Sequence, residues 1–311
     1  MSMRFLTAII FAIASVHAYA YPTKPIKLFV PFPPGGPADA MSRIIAKKLA
    51  DVLGQPFVLE NRGGGGGTIA MAELSKSTAD GYTLGIGSNS TFAIAPSLYR
   101  KLPYDSIGSF SQVSLIATVT TILLAHNGVP VTSLRELIDY AKSHPGMLNY
   151  GSNGNGTVPH LAGALFQSMT GIELVHVPYK GMGAALNDLM AGQIQLGFFA
   201  ASGRESHLKE GKLRALAVAS RTRVMNLPEV PTAAEAGLPG FETYTWFGLV
   251  GPPGLTSEIV RQLNDAVRMS VDAKDVAEAF NAQGLIPSAN SPAEFREFVR
   301  TETAKWAPVV K

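Results

Sequence analysis

The 311-residue chain contains no cysteine, so neither disulfides nor thiolate chemistry enters the reading. Charge of one sign is also missing: 26 Lys and Arg stand against 23 Asp and Glu, a formal net charge of +3. The cations are scattered, and no basic stripe interleaves with aromatics, so a nucleic-acid surface is not expected. Long apolar runs are absent except at the start. MSMRFLTAIIFAIASVHAYA carries one cation, Arg4, an apolar run from Phe5 to Val16, and Ala18-Tyr19-Ala20 at its end. That run is too short for a bilayer core of about 30 Å, which leaves a secretory leader cleaved near Ala20 rather than an anchor. Removing residues 1–20 takes away one Arg and no acid, so the mature charge is 25 − 23 = +2.

Several catalytic and nucleotide signatures are missing as well. Neither G-x-x-x-x-G-K-[ST] nor G-x-G-x-x-G can be completed, which argues against a phosphate cradle. No serine sits in G-x-S-x-G: Ser152 has Tyr150 two residues before it, and Ser88 has Ile86. His126, His144, His160, His176 and His207 show no H-x-x-x-H or H-E-x-x-H spacing, so no local zinc site is proposed. His160 reads as a structural residue at a helix start. No cofactor and no metal are expected.

What is present is an alternation of strands and helices. Apolar runs rich in β-branched and aromatic residues fall at 26–30, 57–60, 82–86, 113–117, 121–125, 148–151, 174–177, 194–198, 213–219 and 246–250. Most precede a helix-period pattern, the order of parallel sheets covered by helices in an α/β fold. Ser133 with Glu136, and Ser291 with Glu294, read as capping boxes. In the first helix Met41, Ile45, Leu49 and Val52 share one face, the expected core stripe.

The turn between the first strand and that helix, LFVPFPPGGPADA, is made of proline and glycine. Pro37 suits the first helical turn, and Gly35-Gly36 remove the Cβ atoms that would keep another molecule from the backbone. Free N–H groups and the helix dipole then favour an anion, although a turn with no ligand is the plainer alternative. The device recurs. Gly87-Ser88-Asn89-Ser90 follows one strand, and Gly151-Ser152-Asn153-Gly154-Asn155-Gly156-Thr157 follows another, with Pro159 placed to open a helix. Both lie at strand carboxyl ends, the edge where open α/β sheets hold ligands. Gly63 to Gly67 is either a fourth such loop or a flexible connector. These loops offer neutral N–H and O–H donors and no fixed cation, which suits a carboxylate.

The chain also resembles the Bug family, the periplasmic receptors of tripartite tricarboxylate transporters. The likeness is carried by VPFPPGGPAD at 30–39, LGQPFVLENRGGGGG at 53–67, DGYTL at 80–84, LPYD at 102–105, YGSNGNGTVPHLAG at 150–163, HVPYKG at 176–181, GKLRALAVAS at 211–220, LPEVPTAAEAGLPGF at 227–241, WFGLVGPPG at 246–254 and the terminal TAKWAPVVK. The resemblance implies a type II periplasmic binding protein, two α/β lobes joined by two crossings and closing over a small carboxylate. The crossings then fall near Thr118–Thr121 and Tyr244–Phe247. Lobe one is 21–120 with 246–311, and lobe two is 121–245. Carried over residue by residue, the lobe-one contacts are Phe32, Gly35, Gly36, Asp39, Ser88, Asn89 and Ser90, and the lobe-two contacts are Ser152, Asn153, Gly156 and Thr157. Phe32 lies against the solute or in the core, and Asp39 either receives an amine or complements the helix dipole.

Family members often carry an acid where this chain has Phe199. If that position faces the cleft, Phe199 adds an apolar wall and favours a carboxylate lacking an ammonium group, aromatic ones such as terephthalate included. The expected function is solute capture and delivery to a membrane permease by a non-enzymatic monomer. A ligand sensor for a signalling kinase and a secreted hydrolase are the alternatives.

Overall fold

The computed structural model describes residues 21–201 and 203–310; the leader expected over 1–20 lies outside the described residues. The strands are β1 (Ile26–Val30), β2 (Phe57–Asn61), β3 (Thr83–Ser88), β4 (Ser111–His126), β5 (Leu148–Ser152), β6 (Leu174–Pro178), β7 (Leu196–Ala200), β8 (Leu213–Val218), β9 (Tyr244–Gly251) and β10 (Leu285–Pro287). The helices are α1 (Pro37–Leu53), α2 (Thr68–Leu74), α3 (Ala95–Leu98), α4 (Leu134–Ser143), α5 (Val158–Thr170), α6 (Met182–Met190), α7 (Glu205–Lys209), α8 (Ser257–Val271), α9 (Lys274–Ala282) and α10 (Pro292–Val310). Among the described residues no helix is long and apolar enough to cross a membrane.

The strands hydrogen-bond in the order β2-β1-β3-β9-β4-β7-β5-β6, with β8 and β10 also joined to β4. Parallel pairing, expected throughout, holds for β1 with β2 and β3, and for β5 with β6 and β7. The centre is antiparallel instead, so the sheet is mixed.

Where two strands were expected at 113–117 and 121–125, the chain forms the single 16-residue β4. Its first part pairs with β9, from Ser111 opposite Gly251 to Thr120 opposite Tyr244. From Thr121 onward it pairs with β7 and β8. The two parts meet in a three-way backbone knot. Thr121 N–H donates to Thr243 at 3.1 Å, Thr243 N–H to Ala219 at 3.0 Å, and Ala219 N–H back to Thr121 at 2.8 Å. Next to Thr243, Tyr244 and Thr245 enter the β9 ladder opposite Thr120 and Val119.

Each side of this passage has its own core. Leu28, Met41, Ile45, Leu49, Ile86 and Leu263 pack on the first side, and Leu137, Tyr150, Phe166, Phe198 and Phe241 on the second. The face of α1 follows the expected stripe: Met41, Ile45 and Leu49 are fully buried. The Ser291–Glu294 box closes reciprocally, at 2.8 and 3.3 Å. The Ser133 box is one-sided, because Glu136 turns its carboxylate to Thr132 instead. A smaller cluster joins the two sides, with Ala93, Ile94 and Trp306 against Val158 and Leu161.

Candidate functional site

The carboxyl ends of β1, β3, β5 and β7 face one crevice between the two sides, at the bottom of which lies a cavity of about 40 Å³. One water takes roughly 10–15 Å³ by this measure, so there is room for a small polar group. Three helices start at its wall. Gly36, Pro37 and Ala38 open α1, Val158 and Pro159 open α5, and Gly181 and Met182 open α6. First-turn N–H groups lack intrahelical acceptors, and the positive ends of three helix dipoles converge here from both sides of the crevice. Thr121, Thr245, Phe198, Ala200 and Phe247 form the floor, where the long strand passes beneath. No lining residue is charged.

Of the residues singled out from the sequence, Phe32, Gly36, Ser90 and Asn153 line this cavity. Ser90 is 5 % exposed, and among the described residues its hydroxyl has no protein partner. Asn153 presents a buried Oδ1 with no hydrogen-bond partner. An orphaned amide oxygen is costly and calls for a donor; towards an anion the same amide offers its Nδ2.

The others stand behind the wall and hold it in shape. Gly35, with φ at 88°, donates its N–H to Asp39 Oδ2 at 3.1 Å. Asp39 also accepts from Arg43 Nε at 3.0 Å and Asn61 Nδ2 at 3.1 Å. Burial pushes the Asp39 carboxyl up, but the Arg43, Gly35 and Asn61 hydrogen bonds outweigh it and leave the group below its ordinary range. Three of its roughly four acceptor sites are taken by the turn and its neighbours. Ser88 is fully buried, and its N–H donates to Thr91 Oγ1 at 3.0 Å. Asn89 is consumed too, donating to Glu302 at 3.0 Å and accepting from Trp246 N–H at 2.7 Å.

On the other side, Thr157 is fully buried and donates its hydroxyl to Gly154 O at 2.7 Å. Gly156, with φ at 74°, donates its N–H to His160 Nδ1 at 3.2 Å. Ser152 Oγ lies 2.7 Å from His176 Nε2, which superficially resembles a nucleophile with its base. Ser152 is fully buried, however, and its oxygen is also shared with Gly154. His176 stacks on His160 with ring centroids 4.1 Å apart. Burial, then the neighbouring imidazole, lowers His176 to about 4, and burial lowers His160 as well. Both rings are therefore neutral at pH 7, acting as props for the loop.

Phe199 must be corrected. On β7 the cavity faces Phe198 and Ala200, and the alternation of a strand turns the residue between them to the opposite side. Phe199 is fully buried there with Ile122, Leu124 and Leu189. Its ring lies where a Cβ on Gly197 would stand, 2.6 Å away.

A second cavity, of about 540 Å³, lies farther out in the crevice and shares Phe32, Pro33, Asn153 and Gly181 with the first. Its other walls include the glycines from Gly63 to Gly67, Tyr99, Asn155 and Lys180. The glycine run is a built turn: Gly64 to Gly67 all have positive φ. A Cβ on Gly66 would stand 3.2 Å from the Asn155 carbonyl across the crevice. The contribution of Gly181 and Met182 was not anticipated. Its only trace in the sequence is the glycine between a strand and a helix in HVPYKG.

A two-lobed α/β sheet spliced by one long strand, with helix starts from both sides around a crevice, defines the class of extracytoplasmic solute-binding receptors. Within that class the chain belongs to the tripartite tricarboxylate transporter family receptors, whose family model matches residues 41–311. The chain is 39 % identical to protein BugT of Bordetella pertussis, over 96 % of this chain and 92 % of that one. Among solved structures, an R. palustris protein with adipate has a TM-score of 0.90 and 38 % identity, covering 93 % of this chain and 97 % of that one. MatC from Rhodopseudomonas palustris with bound malate has a TM-score of 0.88 and 34 % identity, covering 94 % and 100 %.

Proposed function

We propose that this receptor captures a small carboxylate in the inner cavity by closure of two lobes, and delivers it to a membrane permease of a tripartite transporter. The observation that carries the reading is the convergence of three helix N-termini, drawn from both sides of the crevice, on a wall without a charged side chain. Neutral dipoles that need no reorganisation stabilise an anion in a site withdrawn from water. The adipate and malate carried by two relatives fit this chemistry.

Closure follows from the division of donors. One lobe, 21–120 with 246–311, brings the start of α1 and Ser90; the other, 121–245, brings the Asn153 amide and the starts of α5 and α6. A solute that touches both favours the closed form over the open one. Micromolar binding corresponds to about −8 kcal/mol, within reach of several charge-assisted hydrogen bonds. With Phe199 out of the cleft, the preference for a solute without an ammonium group rests instead on the wall itself: it contains no acidic side chain, and Asp39 is engaged elsewhere.

Calorimetry with adipate, malate, citrate, terephthalate, aspartate and glutamate tests this. Tight binding of at least one non-amino carboxylate, weakened about tenfold or more by Ser90→Ala or Asn153→Ala, is the expected result. Recovery of the solute unchanged separates a receptor from a hydrolase. Failure of every carboxylate to bind overturns the reading.

A further inference from the structure

We propose that Glu302, on α10 and outside the crevice, is a positioning residue for solute binding: by tying the loop after β3 to β9 it sets where the Ser90 hydroxyl stands at the inner cavity. The inference rests on the carboxylate reading above and deepens it.

Glu302 is 3 % exposed, and its carboxylate gathers three donors from two elements. Asn89 Nδ2 donates to Oε2 at 3.0 Å and Trp246 Nε1 donates to the same oxygen at 3.2 Å. The Tyr244 hydroxyl donates to Oε1 at 2.8 Å, and the Lys305 ammonium stands 3.9 Å from that oxygen. Asn89, Tyr244 and Trp246 are each the sequence neighbour of a residue lining the inner cavity: Asn89 adjoins Ser90, and Tyr244 and Trp246 enclose Thr245. Side chains alternate along β9, so Thr245 and Phe247 face the crevice while Tyr244 and Trp246 turn to Glu302 behind it.

A carboxylate only accepts, and this fixes the sense of the Asn89 amide. Its Nδ2 faces Glu302, which leaves Oδ1 to take Trp246 N–H at 2.7 Å. Turning the amide over would set its oxygen against a buried anion and its NH₂ against the Trp246 N–H. Residue 89 is thereby pinned to β9, and hydrogen bonds to a charged acceptor are the stronger kind. Ser90 follows it directly, and among the described residues its own hydroxyl has no protein partner, so the backbone it rides on sets its aim. α10 holds the same loop farther along: Thr303 Oγ1 donates to Phe92 O at 3.2 Å, and Trp306 packs with Ala93 and Ile94.

The test is calorimetry on the whole mature protein with whichever of adipate, malate, citrate and terephthalate the unaltered receptor binds most tightly. Affinity measured well below the melting temperature reports the folded receptor, so a loss of stability alone leaves it in place. Glu302→Leu should weaken binding about tenfold, equivalent to about 1.4 kcal/mol. Glu302→Gln can keep its oxygen on Asn89 and Trp246 and offer its NH₂ to the Tyr244 oxygen, which accepts as well as donates; it should bind within about threefold of the unaltered protein. In a Ser90→Ala background Glu302→Leu should cost less than about threefold, because the hydroxyl it positions is already gone. If Glu302→Leu does not fold, Asn89→Ala cuts the same tie from the loop side and should show the same loss and the same masking by Ser90→Ala. Full affinity in Glu302→Leu or Asn89→Ala, or an equal loss with and without the Ser90 hydroxyl, overturns the positioning role while the carboxylate site stands. Binding of no carboxylate by the unaltered protein overturns both readings.

Discussion

The two lobes present the crevice with the same turn, built with different acceptors. In each, a glycine of positive φ precedes the helix, and its N–H is taken by the side chain four residues on: Gly35 by Asp39, and Gly156 by His160. Each helix carries a proline in its first turn. The acceptor is a carboxylate in the first lobe and a neutral imidazole in the second. A carboxylate accepts from several donors at once and stays charged well into acid, whereas an imidazole accepts through one nitrogen and only while unprotonated. The same backbone shape is thus rigid over a wide pH range on one side of the solute and conditional on the other.

The largest test of this contrast is removal of each acceptor. Asp39→Ala leaves Gly35, Arg43 and Asn61 without their partner, and hydrogen bonds to a buried charge are the stronger ones. A loss of about 2–3 kcal/mol in urea unfolding is expected. His160→Ala removes one acceptor and one face of the imidazole stack and should cost about 1 kcal/mol. Equal losses would mean that the two turns are held alike.

These turns differ in how far the sequence announced them. Proline and glycine restrict the backbone by themselves, so the strand, turn and helix from Ile26 to Leu53 could be read locally. The donors behind them could not. Ser88 and Asn89 have the composition of a ligand loop, but the amide of Asn89 is taken by Glu302, 213 residues away. The side that Phe199 faces was equally hidden, because β7 is buried on both faces and shows no polar alternation to set its register. The splice in β4 was obscured by Thr118, Thr120 and Thr121, which interrupt the apolar run yet, at Thr120 and Thr121, are buried where the strand changes partners.

Acidification should separate the lobes next. His160 and His176 have folded pKa values below the ordinary 6.5, so the unfolded chain takes up protons first and gains on the folded one. The stability they contribute is complete above 6.5 and is lost as pH falls from there towards about 4, the value for His176. Asp39 behaves differently: its contribution holds down to the ordinary 3.8 and disappears only below it. Amide exchange followed from pH 7 to 4.5 should therefore loosen residues 152–157 while 35–39 stay protected. Simultaneous loosening of both turns would remove the distinction.

The smallest effect expected is also the most selective. His160→Asn keeps a neutral side-chain acceptor for Gly156 N–H but removes the titrating ring and the stack on His176. At pH 7 the stability should move by no more than about 1 kcal/mol, since one hydrogen bond is exchanged for another. Between pH 6.5 and 4 the decline should be shallower than in the unaltered chain, for two reasons. One titrating group is gone, and His176 no longer feels the charge of a neighbouring imidazolium, which is one of the causes of its lowered pKa. Subtracting the two pH profiles cancels the carboxylates common to both proteins and leaves the imidazole pair alone. An unchanged slope would show that the second lobe's turn does not depend on the protonation of its acceptor, and the contrast between carboxylate and imidazole would then be one of composition without consequence.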